Sequence, residues 1–151
     1  MSRSRFVAPQ TVILTLANGD TLVVRRRLNI GEQRESYRVC SELVEQDDGT
    51  VKRIPDPHRI GLAKVAAFLV DWNLAVDDAP IRGLDLAQRV ALVDNLDPDD
   101  FYEIKEAIDA HEAAIVAERV AEKNGQAGER NGLAISPLPS VPAGPLTLSA
   151  D

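Results

Sequence analysis

The chain has 151 residues, which suits one domain plus an appendage. Hydrophobic residues make up 44% but aromatics only 4%, so the core must be aliphatic and alanine-rich, and oligomerisation or a partner surface could complete it. A net charge of −7 argues against general nucleic-acid binding and would keep an aggregation-prone partner in solution.

The charge is uneven. Residues 1–39 hold seven arginines against three acids, whereas residues 40–124 hold nine bases against nineteen acids. Residues 1–10, MSRSRFVAPQ, read as a flexible arm, with no apolar run long enough for a signal peptide. No window reaches the length needed to cross a membrane. Cys40 is the only cysteine, so an intrachain disulfide is excluded and a cytoplasmic setting is expected.

A compact domain is expected over residues 11–124. Thr11 to Leu16 and Thr21 to Val24 are β-rich runs flanking Ala17-Asn18-Gly19-Asp20, a strong hairpin signal because Asn and Gly tolerate positive φ. Arg25-Arg26-Arg27 continues the second strand, with Arg25 and Arg27 on one face and Arg26 on the other. Asn29 can cap a helix from about Gly31 to Glu45, with Ile30, Tyr37, Cys40, Leu43 and Val44 towards its apolar side. Cys40 reads as a small buried hydrophobe rather than a reactive thiol. Gln46 to Thr50 is a turn.

The stretch from Ile60 to Trp72 supports two readings. Asp56-Pro57 would make a cap and first residue for a helix, with Leu62, Val65, Leu69 and Trp72 at helical spacing. Gly61 weakens that start, and the β-branched and aromatic content favours a buried strand from about Val65 to Leu74, pairing with the hairpin. The strand is the preferred expectation. Asp77-Asp78-Ala79-Pro80 forms an acidic turn.

Asp85 caps a short helix whose Leu86, Val90 and Val93 share a face, and Asp97 caps a long one with Pro98 at its first position. Asp99 and Asp100 then suit the helix dipole. Phe101, Ile104, Ile108, His111 and Ile115 recur at steps of three and four, Val116 and Val120 widen the stripe, and Lys105 can pair with Asp109. The helix should end near Lys123-Asn124-Gly125. Residues 125–151, rich in Pro, Gly and Ser, read as a disordered tail. The expected fold is therefore α+β, an N-terminal β-hairpin plus a third strand packed with about three helices.

No candidate active site emerges. The acidic pairs Asp47-Asp48, Asp77-Asp78 and Asp99-Asp100 sit where turns and helix starts favour acids, without a calcium-loop pattern. His58 and His111 are the only histidines, too few and too far apart for a zinc site. A nucleophile elbow, a phosphate-binding glycine loop and a dinucleotide fingerprint are all missing. The expectation is a non-enzyme with no catalytic residue, metal, cofactor or small-molecule substrate. Arg25 to Arg27 suit contact with an acidic partner better than with polynucleotide, because no aromatics interleave to stack bases.

The order VVRRRLNIGEQ, then FLVDWNLAVDDAPI, then LDPDDFYEIKEAIDAH, spanning about residues 11–123, resembles the tail assembly chaperones of long-tailed (siphovirus-type) bacteriophages, particularly those of actinobacterial phages. FLVDWNL followed by an acidic turn and LDPDD carries most of the likeness, and Ala79 departs from it where a glycine is frequent. The resemblance implies a non-enzymatic protein that binds the tape measure protein, assists tail-tube assembly in the host cytoplasm and is absent from the mature virion. It also implies contact with the tail-tube protein or self-association, and a longer frameshifted product. A virion structural or head–tail adaptor protein is the main alternative, and a small nucleic-acid-binding regulator the third. Partner contact is expected at Trp72, Ile115, Val116, Val120, Arg25, Arg26 and Arg27, although the sole tryptophan also reads as a core anchor.

Overall fold

The computed structural model describes residues 4–74 and 81–131, the last three by backbone alone. The first hairpin forms as its turn sequence requires. Strands β1 (Thr11–Thr15) and β2 (Thr21–Arg25) pair antiparallel, with Val12 opposite Val24 and Leu14 opposite Leu22. Gly19 takes φ +93°, and the loop closes through Leu16 N–H to the Asp20 carbonyl at 2.8 Å and Gly19 N–H to the Leu16 carbonyl at 3.0 Å. Only glycine adopts that backbone at low cost.

Helix α1 (Ile30–Val39) opens on a capping box: the Asn29 side chain accepts from Glu32 N–H, and Glu32 accepts from Asn29 N–H. It ends earlier than the expected Glu45. Cys40 is its C-cap, buried as a small hydrophobe, and the next residues form a second hairpin, β3 (Ser41–Glu45) with β4 (Val51–Pro55). The reason lies in the turn. Gln46-Asp47-Asp48-Gly49-Thr50 repeats the geometry of the first loop, with Gly49 at φ +79° and Gln46 N–H donating to the Thr50 carbonyl at 2.7 Å. A turn of this kind favours an antiparallel strand on each side.

The following segment corrects the strand expected from Val65. Helix α2 (Pro57–Phe68) comes first, and strand β5 occupies only Leu69–Trp72. Asp56 caps the helix through His58 N–H at 2.9 Å, Pro57 stands at its start, and Ala63, Ala66 and Ala67 lie buried along it. Alanine is the best helix former, so the run outweighs the β-leaning Val65 and Phe68. Strand β5 pairs antiparallel with β2, Leu22 opposite Trp72 and Val24 opposite Leu69, across an irregularity between Val23 and Val24. The three-stranded sheet is ordered β1-β2-β5.

Helices α3 (Leu86–Asp94) and α4 (Pro98–Asn131) complete the described elements. Asp85 and Gln88 form a capping box on α3, whose Leu86, Val90 and Val93 are buried as expected. Helix α4 continues six residues past Gly125, which corrects the expected stop. A helical glycine costs only about 1 kcal/mol, and Glu122, Lys123, Gln126 and Ala127 around it favour the helix. Residues 125–131 of the expected tail are therefore helical, and the rest of it, from 132 onward, like the whole of the acidic turn at 77–80, lies outside the described residues. The fold divides into two units, Met1–Ala117 and Glu118–Asp151.

The core belongs to the first unit. Leu22, Val24, Val65, Leu69, Ile81, Val93, Ile104 and Ile108 are its largest fully buried side chains, aliphatic throughout. Charged groups bind α2 to α4: Lys64 Nζ meets Asp109 at 2.7 Å and Glu112 at 3.0 Å, and Lys105 meets the other Asp109 oxygen at 2.7 Å. The Lys105 ammonium, and next that of Lys64, hold the Asp109 carboxyl below its ordinary range against the opposing effect of burial.

Two expected outcomes follow from this packing. A Cβ at Gly61 would meet Lys105 Cε at 3.5 Å and Phe101 Cζ at 3.9 Å, ordinary contact distances. Gly61→Ala should therefore stabilise the protein by about 0.5–1 kcal/mol through helix propensity and a less flexible unfolded chain, raising the urea midpoint at constant slope. A strand at this position would gain nothing comparable. A depressed Asp109 contributes stability above the ordinary aspartate range and loses it as pH falls through the lowered value. Asp109→Asn should thus be destabilised at neutral pH by less than about 1 kcal/mol, because the partners are partly exposed. Urea melts of variant and parent should converge in acid, where Asp109 is protonated.

Candidate partner-binding surfaces

The residues singled out in the sequence occupy different environments. Trp72, at the end of β5, shares the core-facing side of the sheet with Leu22 and is partly buried against the core. Its position follows from the strand alternation, which puts Leu69 and Trp72 on the inner side across the irregularity. The opposite side of the sheet carries Ile13, 67% exposed on edge strand β1.

The arginine run turns out of the sheet. Strand β2 ends at Arg25, and Arg26 N–H donates to the Gln10 carbonyl at 2.8 Å. Arg25 pairs with Glu32 at 2.8 Å, so the acid of the α1 capping box also neutralises the end of β2. The Nε2–H of His111 on α4 donates to the Arg26 carbonyl at 3.0 Å, with the Arg25 carbonyl at 3.2 Å. The same ring meets Phe68 edge-on, 6.2 Å between centroids. His111 therefore ties the last helix to the strand end while its carbon edge packs on the core.

Along α4 the stripe changes character. Ile104 and Ile108 are buried, and Phe101 packs partly against the core. Ile115 is half-buried, and Val116 and Val120 are 53% and 52% exposed. All side chains from Val120 to Gly128 are exposed.

The second hairpin is a surface the sequence reading missed. Register places Leu43 and Val51 on one face of it and Val44 and Ile54 on the other. Leu43 and Val51 are more than 60% exposed. Strand β3 carries Glu42 and Glu45, and β4 carries Lys52 and Arg53, so the ribbon has an acidic and a basic strand. The turn residues Asp47-Asp48-Gly49, flanked by Leu43-Val44 and Val51, were the available signal, hidden because the preceding residues also fit a helix.

Among the described residues, no group of three or more His, Cys, Asp and Glu side chains could hold a metal ion. Nor is any described helix long and apolar enough to cross a membrane. Comparisons with protein-family models, curated proteins and solved structures give no match.

Trp72→Ala is expected to lower stability by about 2–4 kcal/mol, somewhat below the range for a fully buried Trp because the ring is only partly covered. Thermal melting measures the loss. A melting temperature within a degree or so of the parent would instead mark Trp72 as a surface contact.

Proposed function

We propose that this chain is a non-enzymatic tail assembly chaperone of a long-tailed bacteriophage, which binds the tape measure protein and assists tail-tube assembly. The observation that carries the reading is a set of exposed aliphatic side chains on a strongly acidic chain. Val116 and Val120 on α4, and Leu43, Val51 and Ile54 on the second hairpin, are all open to solvent, while the chain holds a net charge of −7. Exposed apolar side chains can cover hydrophobic surface on a helical client, and the charge keeps the complex dispersed. With few aromatics to form a single tight anchor, binding would be shared among many modest aliphatic contacts.

In this reading the protein acts in the host cytoplasm and leaves before the virion is complete. Co-expression with the tape measure protein of the same genome should keep that client soluble. Val120→Asp should melt close to the parent because its side chain is exposed, whereas Ile115→Asp, at a half-buried position, should melt lower while remaining folded. The pair combined should release the client into the insoluble fraction. A client that precipitates equally with and without the parent chain overturns the chaperone reading. A client held in solution by the folded double variant removes α4 as the binding surface and leaves the second hairpin.

A further inference from the structure

One basic cluster in the first unit joins Arg25 to two arginines, Arg82 and Arg89, that no surface described above uses. A cleft of about 340 Å³ is lined by Arg25, Arg82 and Arg89 together with Val70, Ile81, Gly83 and Leu84. Three guanidinium groups around one cleft are unexpected in so acidic a chain, and they come from three places: the end of β2, the turn before α3, and α3 itself.

Their pairing is incomplete. Arg25 pairs with Glu32 at 2.8 Å, and Arg82 Nε pairs with Asp71 at 2.6 Å. Arg89 makes no ion pair with a described carboxylate; one terminal nitrogen donates to the Leu69 carbonyl at 2.7 Å. That bond fixes the side chain at the junction of α2 and β5, and Glu32 and Asp85 act on its charge only from beyond ion-pair distance. The Nε atoms of both Arg25 and Arg89 are shielded from water and have no hydrogen-bond partner. Arg25 and Arg89 also lie close enough to repel: burial and then the Arg25 charge outweigh the opposing pull of Glu32 and Asp85 and lower the pKa of Arg89 from its ordinary value. Two guanidiniums brought together with donors withdrawn from water and unmatched form an arrangement that an oxyanion would relieve.

The composition of the cleft narrows the ligand. Glu32 and Asp71 pair directly with two of the three cations, and Asp85, engaged at the N-terminus of α3, acts on Arg89 from farther off. At most one positive charge is therefore left for a ligand, which suits a monoanion better than a doubly charged phosphate. Val70, Ile81 and Leu84 beside the arginines suit a ligand with carbon next to its charged group. We propose that Arg25 and Arg89, with Arg82 at the rim, form a receptor for one carboxylate carried on an aliphatic chain. The carrier is either a small free carboxylic acid or a glutamate side chain of an extended peptide. The guanidinium fork would take the two carboxylate oxygens in parallel hydrogen bonds, with a small swing of the side chains presenting their Nε–H edges.

The test follows the arginine Nε–H signals of the full-length protein by 1H–15N NMR at low salt, with Arg25 and Arg89 assigned through their lysine variants. Butyrate, an acetylated and amidated Leu-Glu-Leu peptide, and inorganic phosphate are titrated separately. Saturable shifts of the Arg25 and Arg89 Nε–H signals with butyrate or the peptide are expected, at least about tenfold weaker in Arg89→Gln. Arg89→Lys, which keeps a donor for the Leu69 carbonyl, guards against a variant that fails to fold and should also bind more weakly because it lacks the fork. Both carboxylates supporting the site, a peptide tighter than butyrate identifies a protein acid as the natural carrier, and equal affinity a free acid. The proposal is overturned if neither carboxylate gives a saturable shift, if a folded Arg89 variant binds as the parent does, or if phosphate binds as tightly as butyrate.

Discussion

Everything in the first unit leans on the passage from α2 into β5. Between Ala63 and Leu69 only Lys64 is not buried, so this short span sits at the centre of an aliphatic core with little aromatic bulk to spare. Its alanines give the helix a narrow side, and close packing around small residues makes the interior sensitive to any change in volume. From this span, Leu69 to Trp72 complete the sheet against β2. Lys64 reaches two acids of α4, Phe68 meets His111, and the Leu69 carbonyl receives Arg89 from α3. Sheet and helices are thereby registered to one another by a single continuous piece of backbone.

That same piece was the hardest to read in the sequence. Asp56-Pro57 announced a helix and FLVDW announced a strand, and both signals were true of adjacent residues. A hydrophobic run buried on all sides has no periodicity to reveal where one conformation yields to the next. Elements with one wet face were legible: the Asn18-Gly19 hairpin, the Asn29, Asp85 and Asp97 helix starts, and the Lys105–Asp109 pair all stand where local chemistry places them. The second hairpin failed for a different reason. Its strands are short and half charged, and SELVE satisfies a helical pattern as well as a strand until the glycine turn after it is given equal weight.

The exposed side chains and the arginines show the same division. Val116 and Val120 were legible because a stripe that outruns the core must emerge into solvent. Arg89 was not, since an arginine on the polar side of an amphipathic helix is the commonest of surface residues. Only the fold brings it beside Arg25 and gives it a backbone carbonyl instead of a carboxylate.

Charge and apolarity are consequently arranged in opposition. Much of the chain's acidity is spent internally or at helix starts: Glu32 on a cap and on Arg25, Asp109 between two lysines, Asp85 and Asp97 at N-termini. Acids used in this way fix the scaffold but contribute less to the outward field than their number suggests. The exposed aliphatic side chains on α4 and on the second hairpin lie outside these networks. A partner that covers them need not break an ion pair of the core, so binding and folding can be separated by mutation. Such separation is what a protein needs if it must hold a hydrophobic client loosely, release it intact and keep its own fold throughout.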